Sequence, residues 1–390
     1  MKKIRLGIIG MGNMGSGHLQ NVLDGKCPSV EVTAVSDTNP QKLESVKEKA
    51  PDIKVFTDTM EMLDSRLIDA ALIAVPHYDH PKYAMECFER GIHVLIEKPA
   101  GVYTRQVRLM NEAAEKSELK FGIMFNQRTN PLFAKAREIV QSGQLGEPKR
   151  LVWIITNWYR SQAYYDSGSW RASWNGEGGG VLLNQAPHNL DLWQWIFGMP
   201  KKIRAFCSFG KYHNIDVEDD VTIYGEYENG ATATFITTTG ETPGTNRLEI
   251  SGDLGKLVLE DGKLKWWKLP SPEREICFTT KEGFYSPETT YEEFSEEEPG
   301  GHPIILENFA KSILEDEPLI APGEEGINSL SISNAAYVSS WTNDFVSLPV
   351  DEALFEEYLL SLCREEKLKA KASKESENPD KLKERWKVRW

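Results

Sequence analysis

The sequence has little cysteine, and its cysteines form no metal-binding or redox pattern. The 390 residues include five cysteines, an odd and dispersed set with no C-x-x-C pair and no histidine cluster beside it. Such spacing excludes a disulfide framework and a structural zinc site, and it favours a reducing compartment. The five are Cys27, Cys87, Cys207, Cys277 and Cys363. We therefore expect no metal centre.

Long apolar runs and an excess of positive charge are also missing. No stretch approaches the roughly 20 residues that a membrane-spanning helix needs, and the short, glycine-interrupted first run does not fit a signal peptide. The net charge of −14 repels phosphate backbones and anionic lipid surfaces. These absences predict a cytoplasmic protein that binds neither nucleic acid nor membranes.

The first third of the chain alternates short aliphatic runs with charged segments of helical periodicity. Continuous apolar runs at this spacing are typical of buried parallel strands joined by crossover helices. The runs cover residues 4–10, 30–37, 70–76, 93–99 and 119–126. The sequence therefore predicts a doubly wound α/β domain, of the Rossmann dinucleotide-binding type, over residues 1–126.

The pattern changes after residue 126. An amphipathic helix is predicted over residues 131–142, with Pro131 in its first turn and Gly143 after its end. Long strand-like segments with few helices between them follow at residues 150–159, 202–212, 220–240 and 247–269. They predict an α+β domain with a large, mostly antiparallel open sheet over residues 127–350.

Smaller elements complete this second domain. Glu228-Asn229-Gly230 and Asp261-Gly262 predict hairpin turns, and helical sequence resumes at residues 302–314 and around 323–342. The acidic segment 286–300, which has proline and glycine at its end, predicts an exposed connection.

The C-terminal residues 351–390 are predicted to form a charged helical extension. Lysine and arginine are frequent there, and Trp386 and Trp390 stand at the end. Two interpretations remain open for this part of the chain. It is either a solvated helix or an arm that binds another subunit through the two tryptophans.

A glycine fingerprint directly follows the first strand. In Gly10-x-Gly12-x-x-Gly15, glycines allow a tight turn, a close approach of the backbone to a pyrophosphate, and close packing of helix on strand. Asp37, at the end of the second strand, can accept hydrogen bonds from both ribose hydroxyls of an adenosine and would repel a 2′-phosphate. This arrangement predicts NAD as the cofactor, with NADP less favoured.

Two further strands end where the nicotinamide half of such a cofactor should bind. His77 and His80 follow one strand, and Glu97 and Lys98 follow the other. A lysine there can hydrogen-bond a hydroxyl at the reacting carbon, although a surface salt bridge also accounts for Lys98, and His80 also fits a helix start without ligand contact. The expected cofactor contacts are Gly10, Gly12, Asn13, Met14, Gly15, Asp37, Thr38, Pro76, His77, His80, Glu97, Lys98 and Asn126.

A triple glycine in the second half precedes a segment of helical character that contains Asn184, His188 and Asp191. The spacing predicts that Asn184 and His188 lie on the same face of one helix, with Asp191 nearby. A histidine suits the acceptance of a proton because its ordinary pKa of about 6.5 is close to working pH. The alternative is that His188 is a satisfied core residue.

Aromatic and arginine residues just before the triple glycine suit a sugar. Aromatic faces pack on the C–H faces of sugar rings, and arginine suits hydroxyl clusters or an anionic substituent. The alternative is that they are core aromatics and surface arginines. The expected substrate contacts are Lys98, Arg128, Tyr159, Tyr164, Trp170, Arg171, Asn184 and His188.

Together, the glycine fingerprint, the Glu97-Lys98-Pro99 triplet, the stretch 177–191 and the segment 334–341 resemble the Gfo/Idh/MocA oxidoreductase family over nearly the full chain. The resemblance implies an N-terminal NAD(P) domain, an α+β domain with an open sheet, and a site between them for a sugar or polyol. It also implies assembly through the exposed sheet face, as a homodimer or homotetramer.

By the same resemblance, Lys98 matches the catalytic lysine of the family and His188 matches its catalytic histidine. The family often has aspartate four positions before this histidine, where this chain has Asn184. An asparagine cannot stabilise an imidazolium by charge. This difference argues against an inositol dehydrogenase mechanism and against inositol as the substrate.

The resulting expectation is an NAD-dependent dehydrogenase that oxidises a ring hydroxyl of a sugar, polyol or glycoside. His188 would take the hydroxyl proton while Lys98 holds the oxygen. One alternative is a redox-assisted glycosidase that regenerates its cofactor. Another is a non-catalytic, ligand-sensing regulator, against which the presence of both Lys98 and His188 argues.

Overall fold

The structure, a computed structural model, describes residues 2–168, 170–295 and 300–376, with side chains up to residue 369. Its first domain contains a six-stranded parallel sheet in the order β3-β2-β1-β4-β5-β6. The strands are β1 (Ile4–Ile9), β2 (Val30–Ser36), β3 (Lys54–Phe56), β4 (Ala70–Ile73), β5 (His93–Ile96) and β6 (Phe121–Ile123). The five predicted runs thus form parallel strands, which confirms the doubly wound fold.

Helices connect these strands, and only the short strand β3 was not predicted. Its three residues are at most half-buried, so they lack the continuous apolar run that marks the other strands. The helices are α1 (Asn13–Leu23), α2 (Pro40–Lys49), α3 (Thr59–Asp64), α4 (His80–Glu89) and α5 (Thr104–Ser117). Because β1 and β4 are neighbours while β2 lies on the other side of β1, their carboxyl ends form the crevice where dinucleotides bind in such sheets.

The second domain is built on a nine-stranded sheet in the order β14-β13-β12-β11-β7-β10-β9-β8-β15. Only β7 and β10 pair in parallel, so the sheet is mostly antiparallel, as predicted. The strands are β7 (Pro148–Ile155), β8 (Lys202–Phe209), β9 (Glu218–Glu226), β10 (Thr232–Thr238), β11 (Asn246–Gly252), β12 (Gly255–Glu260), β13 (Lys263–Lys268), β14 (Thr290–Ser295) and β15 (Val346–Ser347).

The acidic segment 286–300 is not simply a connection, and that prediction is wrong for β14. Residues 290–295 add an edge strand to β13, because their acidic side chains pair with lysines of the neighbouring strand. Glu293 pairs with Lys263 at 2.8 Å, and Glu292 pairs with Lys268. The strand is nevertheless exposed along most of its length. Composition alone did not reveal the strand, because its acidic side chains look like those of a loop and charged residues are common on edge strands.

Helices cover one face of this sheet. The remaining helices are α6 (Pro131–Gln141), α7 (Gln162–Asp166), α8 (Pro187–Phe197), α9 (Glu273–Thr279), α10 (His302–Glu315), α11 (Gly326–Thr342) and α12 (Glu352–Ser376). Ala205, Ile223 and Phe235 face the helices and are fully buried, whereas Phe206 and Tyr224 on the alternate positions are exposed. One face of the sheet is therefore open in the single chain.

The two domains are joined by hydrogen bonds as well as by the chain. The side chain of Asn334 on α11 accepts the N–H of Thr104 at 3.1 Å and donates to the carbonyl of Val102 at 3.0 Å. Helix α12, inside the predicted extension, packs back on the protein through the buried Phe355 and Leu359. The terminal tryptophans, Trp386 and Trp390, lie outside the described residues. The boundaries 126 and 350 stay predictions.

Candidate active site

The glycine fingerprint forms the tight turn between β1 and α1. A Cβ atom on Gly15 would lie 1.9 Å from the carbonyl oxygen of Gly10, so helix and strand can approach this closely only with glycine. A Cβ atom on Gly12 would meet nothing within 4 Å, which marks open space at the N-terminus of α1. Asn13 and Met14 begin the helix, and no side chain caps it. Open space beside uncapped amides fits the pyrophosphate of a dinucleotide.

Asp37 lies beside this turn, as the sequence predicted. One oxygen of its carboxylate, Oδ2, accepts the N–H of Met11 at 2.7 Å, and the other accepts the N–H of Asn39 at 2.8 Å. Lys42 Nζ lies 3.0 Å from Oδ2, and Thr38 next to it is exposed. The carboxylate is therefore fixed at the end of β2 with a cation beside it.

The two histidines after β4 have contacts within the protein. The ring nitrogens of His80 lie 2.7 Å and 2.8 Å from the carbonyl oxygens of Pro99 and Val75. His80 begins helix α4, as the alternative prediction has it, and because both nitrogens are engaged and the ring is buried, its contact with the cofactor stays a prediction.

His77 is turned toward the second domain. Its Nδ1 lies 2.9 Å from the carbonyl oxygen of Glu177, and its ring packs edge-to-face on Trp170 at 6.2 Å. Burial lowers the pKa of His77 to about 3, so the ring is neutral. Pro76 precedes it at the start of this turn. His77 thus links the end of β4 to the segment that carries the triple glycine.

Glu97 connects the end of β5 to the fingerprint helix. Its buried carboxylate lies 2.7 Å from Nε2 of His18 on α1, and it also accepts the N–H of Lys98 at 3.2 Å. Although burial opposes the charge, the hydrogen bond and charge of His18 lower the pKa of Glu97 to about 2. Sequence reasoning missed His18, whose place one turn after Gly15 was the available signal. Glu97 therefore positions Lys98 and α1.

Lys98 and His188 come together at the carboxyl end of the parallel sheet. Lys98 Nζ donates to the carbonyl oxygen of Asn184 at 2.8 Å, four residues before His188. His188 packs edge-to-face on Phe125 at 6.3 Å, and its buried Nδ1 has no partner among the described residues. Burial and the charge of Lys98 lower the pKa of His188 to about 3, and burial also lowers the pKa of Lys98. The imidazole is therefore neutral, and its Nδ1 is available for a hydrogen bond with a ligand.

Asn184 and His188 do not share a helix face, so that prediction is wrong. Helix α8 begins only at Pro187, which lacks an N–H and is favoured at a first helical position. Asn184 lies in the preceding turn. Its side-chain amide donates a hydrogen bond to Glu177, and its main-chain carbonyl oxygen accepts one from Lys98. Asn184 therefore contributes both groups to the site.

Arg128 is buried and engaged within the protein, so its predicted contact with substrate stays a prediction for a guanidinium that already has partners. Its guanidinium makes two hydrogen bonds to Asp191, at 2.8 Å and 2.6 Å, and one to Glu325 at 2.6 Å. The side chain is only 3% exposed, and these contacts compensate its positive charge. Asp191 lies on α8, so its pair with Arg128 fixes the position of that helix. Nearby Asn126 is buried, and its Oδ1 has no partner among the described residues. This oxygen is available to accept a hydrogen bond from a ligand.

An aromatic wall faces the site from the second domain. The guanidinium of Arg171 stacks on Tyr164 at 4.5 Å and on Trp170 at 4.7 Å, and it donates to the Tyr164 hydroxyl at 2.8 Å. It also lies 3.9 Å from the carboxylate of Glu177. Tyr159 is half-exposed. The structure therefore brings Tyr164, Trp170 and Arg171 of the predicted substrate contacts into one cluster.

Two acids missed in the sequence hold the triple glycine in place. Glu218 is fully buried, and its carboxylate accepts the N–H groups of Gly180 at 2.9 Å and Leu182 at 2.8 Å. Burial raises its pKa to about 7. Glu177 accepts the N–H of Ala172 at 2.7 Å. Glu218 had no local signal because its partners lie 36 and 38 positions away, whereas Glu177 directly precedes the triple glycine and its partners Ala172 and Asn184 are close in the chain.

In the described ranges, no three histidine, cysteine or acidic side chains cluster as metal ligands would. None of the helices in the same part of the chain has the length and apolar character of a membrane span. The candidate site is thus a set of main-chain amides, one lysine, one neutral histidine and an aromatic wall.

Comparison with known proteins agrees with this geometry. Residues 4–125 match an oxidoreductase family with an NAD-binding Rossmann fold, and residues 133–258 match the GFO/IDH/MocA C-terminal domain. A myo-inositol 2-dehydrogenase from Thermotoga maritima is 25% identical over 341 residues, 85% of this chain and 95% of the relative. An NADP(+)-dependent scyllo-inositol 2-dehydrogenase from Bacillus subtilis is 25% identical over 356 residues, 86% of this chain and 94% of the relative.

A solved structure has the same fold. The WlbA dehydrogenase from Bordetella pertussis, in complex with NADH and UDP-GlcNAcA, superposes with a TM-score of 0.74 at 24% identity. The superposition covers 90% of this chain and 100% of that one.

Proposed function

The chain belongs to the Gfo/Idh/MocA oxidoreductase family, which acts on CH–OH groups with NAD(P), and from this we propose that it oxidises a ring hydroxyl of a sugar, polyol or glycoside. One observation carries the proposal. The hydrogen bond from Lys98 to the Asn184 carbonyl brings a cation and the neutral His188 to one place beside the fingerprint turn. A hydroxyl bound there meets a hydrogen-bond donor and a proton acceptor.

The chemistry follows from these two side chains. Lys98 donates a hydrogen bond to the substrate oxygen and stabilises the negative charge that develops on it. His188 accepts the hydroxyl proton. A bound nicotinamide would accept the hydride from the same carbon. The substrate carbon would then be a ketone carbon, with the hydroxyl proton on His188.

The aromatic wall supports a carbohydrate substrate. Trp170 and Tyr159 present partly exposed rings, which suit the C–H faces of a sugar ring. Arg171 lies between Trp170 and Tyr164 and adds donors for hydroxyl groups. The two inositol dehydrogenases with 25% identity act on cyclic polyols by their names, which supports the same substrate class here.

Asp37 supports NAD over NADP as the cofactor. Its carboxylate is held at the end of β2, where an adenosine ribose would lie and where a 2′-phosphate would meet negative charge. Lys42 at 3.0 Å offsets part of that charge, and one relative named above uses NADP(+). We therefore expect the protein to prefer NAD without excluding NADP.

We further propose assembly as a homodimer or homotetramer through the open sheet face. Phe206 is 58% exposed and Tyr224 is 37% exposed on the face that no helix of the described chain covers. Exposed aromatic side chains in such a position are typical of an interface between protein chains.

The proposed function is tested by NADH absorbance with purified protein, NAD(+) and a panel of inositols, free sugars, sugar acids and glycosides near pH 9. Turnover with at least one carbohydrate is expected, and Lys98→Met should lower it by about 10²–10⁴-fold while the exposed-lysine control Lys116→Met retains it. Silence across the panel with intact NADH binding would contradict the proposal. Glycoside cleavage without net NADH would instead establish the redox-assisted glycosidase.

A further inference from the structure

The segment 170–177 carries much of the substrate side of the site and contains no helix or strand. It contains Trp170 and Arg171 of the aromatic wall, and Glu177, which binds the side chain of Asn184. Residues 170–173 line an open cavity of about 790 Å³, whereas the indole of Trp174 is buried against Phe209, Tyr337 and Trp341.

The C-terminal helix α12 holds this segment by its main chain. Glu366 Oε1 accepts the N–H of Trp174 at 2.9 Å, and Oε2 accepts the N–H of Asn175 at 2.9 Å and its side-chain amide at 2.6 Å. The Asn175 amide also donates to the carbonyl of Cys363 at 2.8 Å. Hydrogen bonds to a carboxylate are stronger than those between neutral groups, so Glu366 is a strong clamp on the main chain of Trp174 and Asn175.

The first domain holds the same segment from its other side. The hydroxyl of Tyr78, which follows His77, donates to the carbonyl of Trp174 at 2.6 Å. Helix α12 is itself anchored to the first domain, where Arg105 pairs with Glu356 at 2.9 Å. The clamp therefore ties the aromatic wall to the domain that carries the cofactor site.

We propose that Glu366 is a positioning residue for the substrate site, acting through the main chain of Trp174 and Asn175. The inference rests on the proposed function, and it concerns a helix that lies beyond residues 133–258 of the family match. Glu366 orders Trp170, Arg171 and Glu177 before substrate arrives, so binding does not have to order them.

This role predicts a separation of KM from kcat. Without Glu366 the main-chain N–H groups of Trp174 and Asn175 lose their acceptor while the Trp174 indole stays packed, so the turn beside Trp170 and Arg171 is less fixed. KM then rises because part of the binding energy is used for ordering. Saturating substrate restores the arrangement, and kcat changes little. NADH affinity stays the same because the fingerprint turn and Asp37 are on the other domain.

The test compares Glu366→Ala, Glu366→Gln and the control Glu357→Ala, an exposed glutamate of the same helix with the same change in helix propensity. We expect Glu366→Ala to raise KM for the carbohydrate about tenfold, with kcat within about threefold and the Kd of NADH within about twofold. Glu366→Gln keeps one acceptor oxygen, so its KM should lie between those of Glu366→Ala and the control. The control should match the wild type.

A fall in kcat at unchanged KM, together with a lower Tm, would overturn the proposal, because it would show a general loss of folded enzyme. Hydrogen exchange provides a readout that does not depend on turnover. The amides of Trp174 and Asn175 should exchange faster in Glu366→Ala than in Glu357→Ala. If the wild type oxidises no carbohydrate, the proposed function fails, and this exchange still decides the clamp: equal rates refute it.

Discussion

The two sides of the site are built in different ways. The cofactor side uses main-chain groups of consecutive residues, where open space above Gly12 and the amides of α1 are set by local glycines. The substrate side uses side chains that remote acids hold in place, such as Glu218 under Gly180 and Leu182. Changes on the first side should therefore alter cofactor binding, and changes on the second should alter catalysis or stability.

Replacing His188 by alanine should give the largest effect. The variant loses the proton acceptor on the substrate side, and general-base catalysis typically contributes about 10²–10⁴-fold. We expect kcat to fall by that amount while the Kd of NADH changes by less than about threefold. Steady-state kinetics and NADH fluorescence titration measure the two quantities.

If the Kd of NADH changed in His188→Ala by as much as kcat does, the cofactor side and the substrate side would not be separate, and the comparison would fail. Lys98→Met serves as the partner variant, since it removes the cation that contacts Asn184. It should lower kcat by a similar factor. Unchanged turnover in either variant would contradict the role given to that residue.

Arg128→Met tests whether the substrate side depends on remote charges for its stability. The change leaves Asp191 buried without its cation, and loss of one partner of a buried pair costs roughly 3–5 kcal/mol in the free energy of unfolding. Denaturant unfolding measures it, with the exposed Arg150→Met as the matched control, expected within about 0.5 kcal/mol.

The double variant Arg128→Met, Asp191→Leu should recover part of this loss because no uncompensated charge remains. A loss below about 1 kcal/mol in the single variant would mean that Asp191 takes up a proton or gains water, and that the substrate side does not depend on this ion pair for its stability.

Asp37→Ala examines the cofactor side with a smaller expected effect. The kcat/KM ratio of NAD(+) over NADP(+) should fall about tenfold to a hundredfold, because ribose hydrogen bonds are lost and the repulsion of a 2′-phosphate disappears. The exposed Asp52→Ala is the matched control. An unchanged ratio would contradict the ribose assignment.

The same contrast explains what could be predicted from the sequence. The glycine turn, Asp37 and Lys98 were located because their signals are local: a strand, its end, and the residues that directly follow. The prediction that Asn184 and His188 share a helix face was wrong because helix α8 begins only at Pro187, after Asn184. Glu218 and Glu366 look like any surface acid in the sequence, since their partners lie 36 or more positions away. Contacts at such separation depend on the finished fold.

The pH dependence of turnover gives the smallest expected effect and concerns the environment of His188. A histidine with the ordinary pKa of about 6.5 would lose roughly tenfold of its neutral form between pH 7.5 and pH 5.5. Burial and the charge of Lys98 lower the pKa of His188 to about 3. We therefore expect kcat/KM for the carbohydrate to change less than about twofold over this range.

The measurement needs a control for folding, because the same burial makes stability depend on pH. His77 and His188 have folded-state pKa values of about 3, below the ordinary value, so the unfolded chain binds more protons as the pH falls below about 6.5. Stability is therefore full above that pH and declines as the pH falls toward 3. Circular dichroism at each pH identifies the folded range. An acid limb with a midpoint near 6.5 in that range would mean that His188 is solvated, and that the substrate side is more open than its contacts imply.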